Sequence, residues 1–138
     1  MAIQFPPERK LILRCDYSLG GFREPEMVKG RPAIVVSPRL RHRDGLCAVV
    51  PLSTTHDDRD LPYVVRIKLK SRLPSPYDTE VMWAKCDMLA TVCYERLDLF
   101  RLERDQTGRR KYIKPLLPQQ DFDRVIAGVL HGLGISFS

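Results

Sequence analysis

With 138 residues, 43% of them hydrophobic and 29% charged, the chain is sized for one globular domain that buries a core without disulfides or a structural metal, and it leaves no room for a second catalytic domain. Twenty-three Lys and Arg against seventeen Asp and Glu give a formal charge of +6, which suits polyanionic rather than acidic partners. No window approaches a membrane span, the first ten residues lack the apolar stretch of a secretory leader, and Cys15, Cys47, Cys86 and Cys93 contain no C-x2-C pair; the expectation is a soluble cytoplasmic protein with reduced, mostly buried thiols and no metal site.

Leu11 to Tyr17 is the first predicted strand, closed by Gly20-Gly21 and followed by a polar loop over 22–30. Pro32 to Ser37 is a nearly continuous β-branched run, the pattern of a strand covered on both faces. A basic turn with Arg39, Arg41, His42 and Arg43 leads into Asp44-Gly45, so Leu46 to Leu52 reads as the second arm of a hairpin. Tyr63 to Lys70 alternates apolar and basic residues, which puts Arg66, Lys68 and Lys70 on one face. Pro74 and Pro76 make 72–79 a loop. Val81 to Asp87 restarts strand character, with Trp83 expected in the core, and Leu89 to Tyr94 extends that strand or pairs with it.

Leu97 to Leu102 reads as a short strand or one helical turn, and 101–114 is the most charged stretch, with Tyr112-Ile113 as an edge strand. From Pro118 the period changes: Phe122, Val125, Ile126, Val129, Leu130 and Leu133 fall on one helical face that stops near Gly132 or Gly134. The sum is one mainly β domain over 1–138, a small curved antiparallel sheet over about 9–114 with a C-terminal amphipathic helix over about 118–133. The outer face of that helix, or the tail Ile135-Ser136-Phe137, is a candidate contact with a second subunit.

Polar groups gather at three points where a strand meets a loop: Gly30-Arg31-Pro32, Pro51-Leu52-Ser53-Thr54 and Lys85-Cys86-Asp87. Arg31 offers a planar fork for phosphate, Ser53 and Thr54 offer hydroxyl donors, and Asp87 is a proton acceptor beside the cationic Lys85. On composition alone these are equally an Arg opening a strand, two turn hydroxyls and a surface Lys near an Asp.

The stretch from about Lys10 to Arg101 resembles the MazF/PemK/Kid family of bacterial toxin endoribonucleases. Lys29-Gly30-Arg31-Pro32-Ala33-Ile34-Val35-Val36-Ser37 is similar to the family's Gly-Arg-Arg-Pro motif and the strand it opens, Val49-Val50-Pro51-Leu52-Ser53 to its Val-Val-Pro-Ile-Thr element, and Lys85-Cys86-Asp87 with Leu97-Asp98 to its Arg-Cys-Asp block and trailing Leu-Asp. The resemblance implies an SH3-like barrel, a homodimer, metal-independent and cofactor-free cleavage of single-stranded RNA, and neutralisation by a small acidic antitoxin. It places Arg31 at the family's active-site Arg, Ser53 where most members have Thr, Asp87 at the Asp of the Kid branch, and Lys85 where that branch has Arg. Lys10-Leu11 replace the usual Gly-Asp, and Lys85 loses the bidentate fork of Arg and serves as a fixed positive charge.

Metal-free cleavage of RNA uses the neighbouring 2′-hydroxyl as nucleophile, so it needs a base, positive charge on the phosphate and stabilisation of the departing 5′-oxygen. In that scheme Asp87 is the base, Arg31 clamps the phosphate, Lys85 adds charge, and Ser53, with Thr54 as substitute, donates a hydrogen bond. Phe22, Arg23, Lys29, Thr54, Arg39, Arg41, Arg43 and His56 are candidates for RNA contacts, since single strands are held by stacking and basic tracks. Two rivals share the fold: a gyrase poison like CcdB, and an SH3-like module that binds RNA or protein without chemistry.

Overall fold

The computed structural model describes residues 2–57 and 59–135; Ser136 and Phe137 of the suggested subunit contact lie outside them. Nine strands and one helix follow in chain order: β1 (Ile12–Asp16), β2 (Gly30–Val35), β3 (Leu46–Ser53), β4 (Val64–Lys68), β5 (Val81–Lys85), β6 (Ala90–Cys93), β7 (Leu97–Asp98), β8 (Phe100–Arg104), β9 (Arg110–Ile113) and α1 (Gln119–Gly132). The main sheet runs β4-β5-β3-β2-β1-β7, all antiparallel, with β6 on the same β3 edge that β5 uses further along. Among the described residues this path does not return on itself, so it is an open curved sheet rather than the closed barrel expected; β8 and β9 pair only with each other.

The long β3 explains the branching. Its first half, Leu46 to Val49, pairs with β6, and its last two residues, Leu52 and Ser53, pair with β5. Between them a 3-10 turn, Cys86–Met88, ends β5 and redirects the chain, so 89–94 neither extends β5 nor pairs with it. Asp87 therefore sits on a turn and not in a strand.

β2 and β3 are covered on both faces, as their continuous apolar runs require. One face packs Ile12, Ile34, Val50, Leu52 and Ala84 under Phe122, Val125 and Val129 of α1; the other packs Leu13, Cys15, Ala33, Val35, Val49, Val92 and Leu97. Each of the three helix side chains is nearly fully buried and stabilises the fold by about 1.5–3 kcal/mol. The helical stripe fades toward its end: Ile126 and Leu130 are half-buried, and Leu133 is 61% exposed. Pro118 is the N-cap, and Gly134, with φ +75, lets the chain turn back so that the Ile135 N–H bonds the Leu130 carbonyl at 2.8 Å. All four cysteines are free thiols, three buried and Cys93 half-buried. No helix among the described residues is long and apolar enough to cross a membrane.

The helix sits close against the Cys86–Met88 turn because two of its residues have no side chain. A Cβ at Gly128 would lie 2.7 Å from Cys86 Sγ, and one at Gly132 would lie 3.1 Å from Asp87 Cα. Spaced four apart, both glycines face the turn and set where Asp87 stands.

Candidate active site

Arg31 and Ser53 lie on neighbouring strands, each just beyond the paired part of the β2–β3 ladder. The β2–β3 ladder pairs Val35 with Val49, Ile34 with Val50 and Ala33 with Pro51, and it ends there. The next bonded pair in this register would be Pro32 with Leu52, and Pro32 has no N–H to donate, so the strands stop pairing two residues before the same register would set Arg31 opposite Ser53. Arg31 stays half-buried, and its Nε is buried with no hydrogen-bond partner among the described residues. A buried donor left unmade costs about 1–3 kcal/mol, which an incoming acceptor would recover. Tyr77 Oη donates to the Gly30 carbonyl at 3.0 Å, so the 72–79 loop holds the residue just before Arg31.

Ser53 is 5% exposed, and its hydroxyl donates to the Thr55 carbonyl at 2.9 Å while accepting the Thr55 N–H at 3.2 Å. This small turn presents Thr55, not Thr54, beside Ser53: Thr55 lines the adjoining cavity and Thr54 does not.

That cavity, about 560 Å³, is also lined by His56, Lys85 and Asp87. Lys85 Nζ lies 2.9 Å from His56 Nδ1, and His56 Nε2 lies 2.9 Å from the Arg59 carbonyl. A carbonyl only accepts, so Nε2 carries the ring proton and Nδ1 accepts from the Lys85 ammonium. Burial holds the Lys85 pKa below the ordinary lysine value; the Asp57 and Asp87 carboxylates oppose that shift, and the Arg31 and Arg59 guanidiniums add to it. Lys85 therefore gives up its proton more readily than a solvated lysine, which adds a capability to the fixed charge expected of it. Asp57 is held to about 2, chiefly by its hydrogen bonds from Arg59, so its carboxylate is already engaged.

Two further hollows share Met88 with this cavity. One of about 470 Å³ is lined by Tyr17, Phe22, Met27, Asp87 and Leu89, and one of about 650 Å³ by Pro25, Met27, Lys29 and Arg31. Met88 is thus the shared wall: Ser53, His56, Lys85 and Asp87 line one of the three hollows, Phe22 with Asp87 the second, and Lys29 with Arg31 the third. Phe22 meets Tyr17 edge-on at 5.5 Å and lies under the Arg96 guanidinium at 4.6 Å. Arg23 is exposed and lines none of these hollows. Arg39, Arg41 and Arg43 are exposed on the turn at the far end of the β2–β3 hairpin, about 15 Å or more from Arg31 along the strands. Trp83 is half-buried rather than in the core, with its ring 6.0 Å from that of His56. Among the described residues no three His, Cys, Asp or Glu side chains converge as metal ligands.

Sequence reasoning missed Thr55, the Asp57–Arg59 pair and the close seating of the helix at Gly128 and Gly132. The Asp-x-Arg spacing was a readable sign of a local ion pair; the others depend on contacts across the fold.

Residues 8–130 match the model of a family described as PemK-like, MazF-like toxin of type II toxin-antitoxin system. The chain is 26% identical to the Escherichia coli (strain K12) protein YifN over 155 residues, covering 98% of this chain and 99% of that one. Its fold is similar to a mycobacterial endoribonuclease solved in complex with its cognate antitoxin, with TM-score 0.62, 19% identity, and 96% and 99% of the two chains covered. It is also similar to MazF from Deinococcus radiodurans, with TM-score 0.61, 16% identity, and 96% and 100% covered.

Proposed function

The chain belongs to the PemK-like, MazF-like family of toxins of type II toxin-antitoxin systems, and on that premise we propose that it is a cytoplasmic endoribonuclease that cuts single-stranded RNA without a metal ion, leaving a 2′,3′-cyclic phosphate and a 5′-hydroxyl. It acts as a homodimer and is neutralised by a small acidic antitoxin that fills the RNA groove. Its open curved sheet is the counterpart of the family's SH3-like barrel. What supports the reading is that Lys85 and Asp87 line one cavity while Arg31, half-buried with an orphan Nε, lines the hollow across Met88 and adds its charge to the field at Lys85.

Asp87, exposed at the rim of the cavity, takes the proton of the 2′-hydroxyl. As that oxygen closes on phosphorus, negative charge grows on the non-bridging oxygens, and Arg31 meets it with donors already in place. The 5′-oxygen leaves with a proton from Lys85, whose desolvation favours giving it up. Ser53 adds a donor only by exchanging its bond to the Thr55 carbonyl for one to phosphate. Phe22 and Lys29, in the adjoining hollows, contact the flanking nucleotides by stacking and charge.

The test is incubation of the purified protein with a long single-stranded RNA in EDTA, followed by mapping of cut sites and end chemistry. Discrete cuts ending in cyclic phosphate support the proposal. Salt-sensitive binding without cuts favours the binding module, and neither binding nor cuts favours a target such as gyrase.

A further inference from the structure

Lys85 and His56 are 29 residues apart in sequence and meet at 2.9 Å. The imidazole is enclosed, with a side chain 10% exposed, and is fixed from two sides by the Arg59 carbonyl on Nε2 and the Trp83 ring at 6.0 Å. A lysine ammonium on a four-carbon stem ordinarily samples many rotamers, whereas here its head has one neutral acceptor at a set place. The carboxylates nearby do not take that role: Asp57 is bonded to Arg59, and neither Asp57 nor Asp87 forms an ion pair with Lys85 within 4.0 Å among the described residues.

We propose that His56 is the positioning residue of this site: its Nδ1 holds the Lys85 ammonium at the wall of the cavity that Ser53 and Asp87 also line, so that a phosphate entering the cavity meets a charge and a proton already in place. This rests on the ribonuclease reading and deepens it, moving His56 from a general contact with RNA to a role exerted through Lys85. A carboxylate in its place would neutralise the ammonium; a neutral imidazole leaves the full charge for the phosphate. Because the acceptor is Nδ1, asparagine, whose Oδ1 lies at a similar distance from the backbone, is the conservative substitute.

The experiment has two readouts. The first is the ¹⁵N spectrum of the His56 ring: a protonated Nε2 and an Nδ1 whose shift moves when Lys85 is replaced by Ala are expected. The second is single-turnover RNA cleavage by the full chain carrying H56L, H56N, K85A or H56L with K85A. H56L is expected to lose up to about a hundred-fold in the chemical step, with much less change in KM. H56N should recover much of that loss, and adding H56L to K85A should cost nothing further. Cleavage by H56L at the wild-type rate, an equal loss in H56L and H56N, or a full further loss in the double variant would overturn the inference while leaving the ribonuclease reading in place. No cleavage by the wild-type chain would remove the ribonuclease reading and this inference with it, even if the spectrum shows the bonded pair.

Discussion

Replacing Gly128 with alanine tests whether the helix is seated on the Asp87 turn as described. In an exposed helix interior, Gly→Ala stabilises by about 1 kcal/mol through propensity alone. At position 128 the added methyl would stand 2.7 Å from Cys86 Sγ and 3.2 Å from Val65 Cγ2, and Cys86 is 1% exposed. Overpacking of this kind costs about 1–3 kcal/mol, so the two effects together give a net loss of up to about 2 kcal/mol. Urea unfolding reads it as a lower midpoint at unchanged slope. Cys86→Ala in the same background removes the sulfur and should return part of the loss, as a favourable coupling in the double-mutant cycle. Gly132→Ala differs in kind. Its methyl would meet Asp87 Cα at 3.1 Å, backbone that cannot rotate away, so it should shift the turn and slow RNA cleavage more than it lowers stability. A Gly128→Ala protein more stable than wild type by the full propensity gain would refute the close seating.

Burial raises the Cys15 and Cys86 thiols from 9.0 to about 12 and Cys47 to about 11. Above pH 9 the unfolded chain releases these protons while the native one keeps them, so stability is full below about pH 9 and falls as pH rises toward 11–12; thermal melts across that range check the sign. The same three thiols should resist alkylation of the native protein, with the half-buried Cys93 labelled first, as read by intact mass. Tyr77→Phe removes the bond to the Gly30 carbonyl and should cost about 1 kcal/mol of stability, with a larger proportional effect on cleavage because Gly30 precedes Arg31.

Patterns carried by neighbours in the chain were legible in the sequence. The continuous run of β2, the alternation of β4 and the helical stripe of α1 each have their own period, and each forms where that period puts it. The turn at Cys86–Met88 was not legible, because no Gly or Pro interrupts Lys85-Cys86-Asp87-Met88; what breaks the strand there is the packing of α1 against it and the free half of β3 that receives β6. For the site, Arg31, Ser53, Lys85 and Asp87 were readable as residues at strand ends. Their grouping around one turn depends on pairing between distant strands. The bond between His56 and Lys85 left no trace in either local segment. The basic cluster at Arg39, Arg41 and Arg43 is close to Arg31 in sequence but is carried to the other end of the hairpin by the strand between.

The most direct test of the account is a single-turnover cleavage series with Arg31→Ala, Asp87→Asn and the two combined. If both residues serve one reacting phosphate, each single change should cost about 10²- to 10³-fold, and the double should be little slower than the worse single, because the two groups work as a unit. Full activity in either single variant, or losses that multiply in the double, would contradict a shared centre at the Asp87 turn.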